Sequence, residues 1–222
     1  CMEDCKLADV YALAQLYFRQ GQCRRALQTL DRSQAPRDRK TRLLAAQCLA
    51  ECKDWDACLT VLGEEDSATA TSGSAMDTDD GGTEIDIGAA CCLLRGKVYD
   101  MQQNRAKAAF WYQESLRRDV HCVEAFEKLA DNHMLTAEEE RALLQSLRFP
   151  KGEEWLRSLY SSRMRKYDPS LTPPALEREL ESFPELRGSI DALASVAELA
   201  YYRNDFDKAH EVSAAILRRD AF

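Results

Sequence analysis

The sequence predicts an all-α fold, a solenoid of antiparallel helix pairs. Small residues recur in couples twelve positions apart, with 34 residues from Gly96 to Ala130 and from Ala108 to Ala142 and 67, close to two repeats, from Ala142 to Ala209. Apolar residues follow the helical period, while the apolar-polar alternation of a half-buried strand is absent. A period of about 34 residues marks a helix-turn-helix repeat that buries its apolar face only by stacking on neighbours. Within each pair the two helices cross closely, so the crossing requires a small residue on both. About twelve helices and no sheet are expected.

Taken in order, the first pair (about 7–33) sets Ala14 and Ala26 at the crossing, with Tyr17 as a filler and Gly21 in the turn. The second (about 38–63) sets Ala46 and Cys58, with Trp55 opening its second helix. Residues 64–84, EEDSATATSGSAMDTDDGGTE, are acidic and almost without apolar side chains; they cannot offset the entropy of ordering and read as a disordered acidic insert. The third pair (about 87–120) sets Gly96 and Ala108, with Tyr99 and Tyr112 as large fillers. The fourth (about 121–148) sets Ala130 and Ala142, each 34 residues after its counterpart, and Thr136 with Glu139 has the spacing of a capping box. Over about 151–183, Pro169, Pro173, Pro174 and the following Pro184 interrupt two helical stretches near 153–167 and 174–182, giving an irregular unit. The last pair (about 188–220) sets Ala197 and Ala209, with Phe206 in the place Trp55 holds earlier. Residues 1–222 therefore read as one array, a tetratricopeptide-repeat superhelix.

Hydrophobic residues make up 45% of the chain and charged residues 31%, which is ordinary globular composition and leaves ample material for a core. The formal net charge of -8 argues against nucleic acid as a partner, since phosphate binding needs clustered Lys and Arg. Short basic runs such as Arg117-Arg118 alternate with acids at helical spacing and read as solvated faces. No apolar run approaches the roughly 20 residues of a membrane span, so a membrane partner is not expected and the chain reads as intracellular. Its nine cysteines, without a regular disulfide framework, are expected to be reduced and mostly buried.

No constellation points to catalysis. Cys48, Cys52 and Cys58 lack zinc-site spacing, and Cys58 occupies a position that demands a small residue. Cys91 and Cys92 point to different helix faces. His121 and Cys122 are helix neighbours that do not face each other, with no third group to orient the imidazole, and His133 and His210 lie at ordinary helix positions. No phosphate loop or hydrolase motif occurs. The chain is read as a non-enzyme with no metal, cofactor or small-molecule substrate.

Helix-pair arrays bind partners in a concave groove lined by their first helices. Arrays that clamp a chaperone's C-terminal carboxylate use Lys, Asn and Arg at positions that here carry Tyr11, Gln15, Leu44, Ala90 and Leu94, so that ligand is excluded. The apolar lining suits a helix or another repeat protein. Tyr11, Gln15, Leu44 and Leu94 are the candidate groove residues, although Tyr11, like Tyr17 and Tyr99, also suits the core.

Several strings are particular rather than generic: CLLRGKVYD (Cys92 to Asp100), Asn104-Arg105, HMLTAEEE (His133 to Glu140), DVYALAQLYFRQGQCRRA from Asp9, KYDPS from Lys166, and LRRDAF at the end. Over residues 9–222 they resemble the sixth subunit of the anaphase-promoting complex, or cyclosome, the cell-division-cycle 16 family of tetratricopeptide proteins, in its N-terminal portion. The resemblance implies a non-catalytic scaffold subunit of a multi-subunit ubiquitin ligase that controls mitotic progression. Its implied partners are a second copy of itself, as a homodimer, and the ligase's other repeat subunits, and its implied location is the nucleus and cytoplasm. It also implies further repeats before Asp9 and after Phe222, so the chain is expected to be a fragment. Phosphorylation is implied for the complex, and Thr172 before Pro173 and the insert residues Thr71, Ser72, Ser74 and Thr78 are candidate sites. The alternative reading is a repeat adaptor holding a peptide or helix in another assembly.

Overall fold

A computed structural model describes residues 2–32, 38–63, 85–165 and 170–219. These form twelve helices and, among the described residues, no strand: α1 (Met2–Arg19), α2 (Cys23–Arg32), α3 (Arg39–Glu51), α4 (Trp55–Leu62), α5 (Ile87–Met101), α6 (Arg105–Arg118), α7 (Val123–Asp131), α8 (Ala137–Ser146), α9 (Glu154–Met164), α10 (Pro173–Glu181), α11 (Ile190–Tyr202) and α12 (Phe206–Arg219). The chain divides into two compact units, Cys1–Ala125 and Phe126–Phe222. The expected insert, 64–84, lies outside the described residues.

The first unit is three hairpins, α1 with α2, α3 with α4, and α5 with α6, each packed on the next. Their crossings are the small residues named from the sequence: Ala14, Ala26, Ala46, Cys58 and Ala108 are fully buried, and Gly96 is buried. At Gly96 the requirement is absolute in size, because an added Cβ would stand 2.5 Å from Cδ1 and Cε1 of the Tyr112 ring. At the α3–α4 crossing the Cys58 thiol donates to the Ala46 carbonyl at 3.2 Å, so a polar atom is buried there with its partner. Each large aliphatic side chain enclosed around these crossings, such as Leu30, Leu44 and Val98, contributes about 1.5–3 kcal/mol.

One backbone device closes the hairpin turns. Gly21 (φ 74°), Lys53 (φ 62°), Gln103 (φ 60°) and Asn204 (φ 60°) all adopt the left-handed conformation. Each stands seven residues after the small residue of its first helix. The flanking amides bond back across the turn: Gln22 to Tyr17, Asp54 to Leu49, Asn104 to Tyr99 and Asp205 to Ala200, at 2.9–3.0 Å. This is the Schellman arrangement, which satisfies the last carbonyls of the first helix. The next residue then caps the second helix, as Asp54 does for Ala57, Asn104 for Lys107 and Asp205 for Lys208.

The fourth pair departs from the expected register. The left-handed residue after α7 is His133 (φ 48°), three residues beyond Ala130 rather than seven, and Thr136 caps α8 two residues later than the other turns allow. Ala130 is buried in the last turn of α7, but Ala142 is exposed, and Leu143 and Leu144 are the buried residues of α8. Ala142 is therefore not a crossing residue; an early helix end followed by a longer turn moved the second helix out of phase. The capping box is present as expected: Glu139 N–H donates to Thr136 Oγ1 at 3.3 Å and Thr136 N–H donates to Glu139 Oε2 at 2.8 Å.

In the second unit Phe126 stacks on Tyr160 with ring centroids 3.8 Å apart, and Phe149 meets Tyr160 edge-on. α10 and α11 pack around Leu176, Leu180, Val196 and Leu199, joined by Val212 of α12. Ala197 is buried at the α11 crossing, whereas Ala209 is half-buried and Val212 is the buried residue of α12. Pro173 and Pro174 open α10, where a missing N–H costs nothing, so the prolines that break the pattern also start a helix.

Candidate functional site

The candidate groove residues do not form one surface. Tyr11 is half-buried and packs with Tyr17 and Phe18 against Ala14 and Ala26, and Gln15 is half-buried on the same helix. Leu44 belongs to the core between the first two hairpins and Leu94 to the core between the second and third. Both are thus packing residues rather than groove residues; the helical period places them on an apolar face, and in a stacked array that face is the one covered by the next hairpin. Tyr99 sits under the Lys107 ammonium, 5.2 Å from the ring centroid. Among the described side chains of α1, the large apolar ones in solvent are Leu13 and Leu16, one 44% and the other 56% exposed, neither singled out by spacing alone.

Two polar anchors flank residues 64–84, and the sequence reading missed both. Arg95, buried in α5 beside Gly96, donates to the carbonyls of Leu62 and Gly63 at 3.0 and 2.6 Å, closing the C-terminus of α4, while its guanidinium lies over Trp111 at 4.6 Å. A cation there also complements the negative end of the α4 dipole. On the other side, Asp119 Oδ2 accepts from the Asp86 amide at 3.0 Å, and Asp119 Oδ1 accepts from the His121 amide at 2.9 Å and faces His121 Nδ1 at 3.1 Å. Burial pushes the Asp119 carboxyl up, but the two amides and the His121 ring outweigh it and hold it below the usual aspartate range. The only sequence signal for Arg95 was a cation inside an otherwise apolar run.

Burial works against the thiolate form at three of the described cysteines, Cys23, Cys48 and Cys58. Cys23, Cys48, Cys52, Cys58, Cys91, Cys92 and Cys122 are thiols rather than disulfides. Burial pushes the Cys48 thiol up to about 12 and the Cys58 thiol up to about 11, the latter against the pull of Arg95. Ser115 Oγ donates to the Ala89 carbonyl at 2.8 Å and lies 3.1 Å from Cys122 Sγ, so that serine and that cysteine are interior packing partners. Among the described residues no three His, Cys, Asp or Glu side chains converge for a metal ion, and no helix is long and apolar enough to cross a membrane. Thr172 is exposed at the N-terminus of α10 in extended backbone; Thr71, Ser72, Ser74 and Thr78 lie outside the described residues.

The family model of anaphase-promoting complex, cyclosome, subunit 3 matches residues 1–65. Anaphase-promoting complex subunit 6 of Arabidopsis thaliana is 39% identical over 97% of this chain, and the human cell division cycle protein 16 homolog is 34% identical over 96%. This stretch of chain belongs to the anaphase-promoting complex subunit 6 family. A structural neighbour is the crystal structure of the APC/C hetero-tetramer Cut9-Hcn1, with a TM-score of 0.81 and 33% identity, covering 97% of this chain and 41% of that one. The chain spans less than half the length of these subunit 6 relatives, 43% of the plant protein and 36% of the human one. The tetratricopeptide-repeat fold read from the spacing of small residues is the fold of this subunit 6 family member.

Proposed function

We propose that this chain is a non-catalytic scaffold segment of the anaphase-promoting complex, the multi-subunit ubiquitin ligase of mitotic progression. Its role is to hold a second copy of itself and the other repeat subunits of the complex, in nucleus and cytoplasm. The reading rests on identity of 33–39% to subunit 6 proteins over nearly the whole chain. Self-association is supported by α1, where Leu13 and Leu16 place apolar area in solvent on the helix that also carries Tyr11 and Gln15. Leu13 and Leu16 are three residues apart on one helix, so they are neighbours on one face and offer joined apolar area to a partner.

The test is solution mass across a dilution series, by light scattering coupled to size exclusion. A discrete dimer that dissociates on dilution, and that Leu13→Glu with Leu16→Glu renders monomeric without loss of helix content, supports homotypic assembly through α1. A monomer at every concentration removes self-association from the reading. Capture of cyclosome subunits on the immobilised chain tests the scaffold role separately, and retention of none of them overturns it.

A further inference from the structure

The first two hairpins leave a cleft of about 370 Å³ between α2, α3 and α4, within the size range of sites that take a ligand or an anchoring side chain. Its lining follows the helical period: Thr41, Ala45 and Leu49 recur every four residues on α3, Leu27 and Asp31 stand four apart on α2, and Val61 comes from α4. The stripe from Thr41 to Leu49 covers two turns, roughly 12 Å at the helical rise. Ala45 stands in the middle of that stripe with only a methyl group, where a longer side chain would fill the space. Leu27, Leu49 and Val61 are half-buried, so each keeps apolar area that a partner would cover.

The charge on the lining is of one sign. Asp31, in the last turn of α2, is exposed and is the one charged side chain lining the cleft among the described residues, where its carboxylate has no ion pair or hydrogen bond. Thr41, in the first turn of α3, is buried and adds a hydroxyl. Arg39, Lys40 and Arg42 share that turn, but none of them lines the cleft. We infer that the cleft docks a basic amphipathic peptide segment of a partner protein. Large apolar side chains of the segment lie over Ala45, and a Lys or Arg about one turn further on runs its aliphatic stem along the wall and sets its charge against Asp31. An acidic segment would bring like charge to Asp31 instead. The net charge of -8 on the chain draws a cationic partner in the same sense. The cleft shares no residue with the exposed leucines of α1, so it stands whether or not the chain self-associates.

The experiment pans the whole chain against a phage-displayed library of amphipathic helical peptides. Selected peptides are synthesised and their affinity measured by fluorescence polarisation on the wild type, Ala45→Phe and Asp31→Lys, with helix content checked by circular dichroism. The expected result is enrichment of Lys or Arg about one turn from a large apolar residue. Ala45→Phe, which fills the cleft, is expected to weaken binding about thirty-fold, the loss of a buried anchor. Asp31→Lys, at an exposed position, is expected to weaken it about five-fold, and a peptide with Glu in place of its cation is expected to recover that loss on this variant alone. If Ala45→Phe does not fold, Asp31→Lys with the exchanged peptide decides. No enrichment, an acidic consensus, or peptides that bind the folded variants as tightly as the wild type would overturn the proposal. So would a wild-type dimer that Ala45→Phe abolishes, since the cleft would then hold a second copy of the chain.

Discussion

Replacing Gly96 by Ala sets two effects of known sign against each other. Gly in a helix interior is roughly 1 kcal/mol less favourable than Ala, so α5 on its own would gain from the change. Against this, the new Cβ would stand 2.5 Å from two carbons of the Tyr112 ring, and Tyr112 is fully buried. Overpacking costs about 1–3 kcal/mol; a contact this short takes the upper half of that range, about 2–3 kcal/mol, so a net loss of about 1–2 kcal/mol is expected. For a domain of this size each kcal/mol moves the midpoint by about 2–4 °C, which puts the fall in Tm at about 2–8 °C. Thermal unfolding by circular dichroism measures it, and the Tyr112→Leu background supplies the control: with the ring removed, Gly96→Ala is expected to be neutral or stabilising. Gly96→Ala that unfolds at or above the wild-type temperature, with Tyr112 in place, refutes the steric argument.

Three further outcomes follow from the same geometry. Lys53→Gly and Gln103→Gly relieve left-handed backbone at φ 62° and φ 60°, and each is expected to add about 0.5–1 kcal/mol of stability, read as a higher urea midpoint with an unchanged slope. The Tyr112 hydroxyl is buried with no hydrogen-bond partner among the described residues, so Tyr112→Phe is expected to be neutral or stabilising by up to about 1 kcal/mol in the same urea titration. Asp119 titrates lower in the folded chain than in the unfolded one, so its contribution is present above about pH 4, the unfolded aspartate value, and fades as pH falls through the folded value. Asp119→Asn is accordingly expected to lower Tm at pH 7 and to flatten the acid limb of a Tm-against-pH curve.

The fold was legible because crossings constrain size and size is visible in sequence: Ala14 and Ala26, Ala46 and Cys58, and Gly96 and Ala108 could be paired by counting. The fourth pair shows the limit of counting. The 34-residue spacing to Ala142 held in the sequence while the chain, turning early at His133, placed that alanine in solvent. A left-handed residue is easily read when it is glycine, as at Gly21, but nothing in the identity of Lys53, Gln103 or Asn204 announces one. The groove was the least legible part. Spacing assigns Leu44 and Leu94 to an apolar face without saying whether that face meets a ligand or the next hairpin. Arg95 escaped because a buried cation is explained only by the carbonyls it meets, and those come from residues 32 and 33 positions earlier.

The bonds from Arg95 to Leu62 and Gly63, and from the Asp86 amide to Asp119, fix the chain on either side of 64–84 without involving any residue between them. Closure entropy grows only with the logarithm of length, about 0.6 kcal/mol for each doubling. Descendants of this sequence are therefore free to lengthen, shorten or rewrite that stretch while the hairpins around it keep their geometry. The same freedom makes it the natural place to splice in a reporter or an affinity handle.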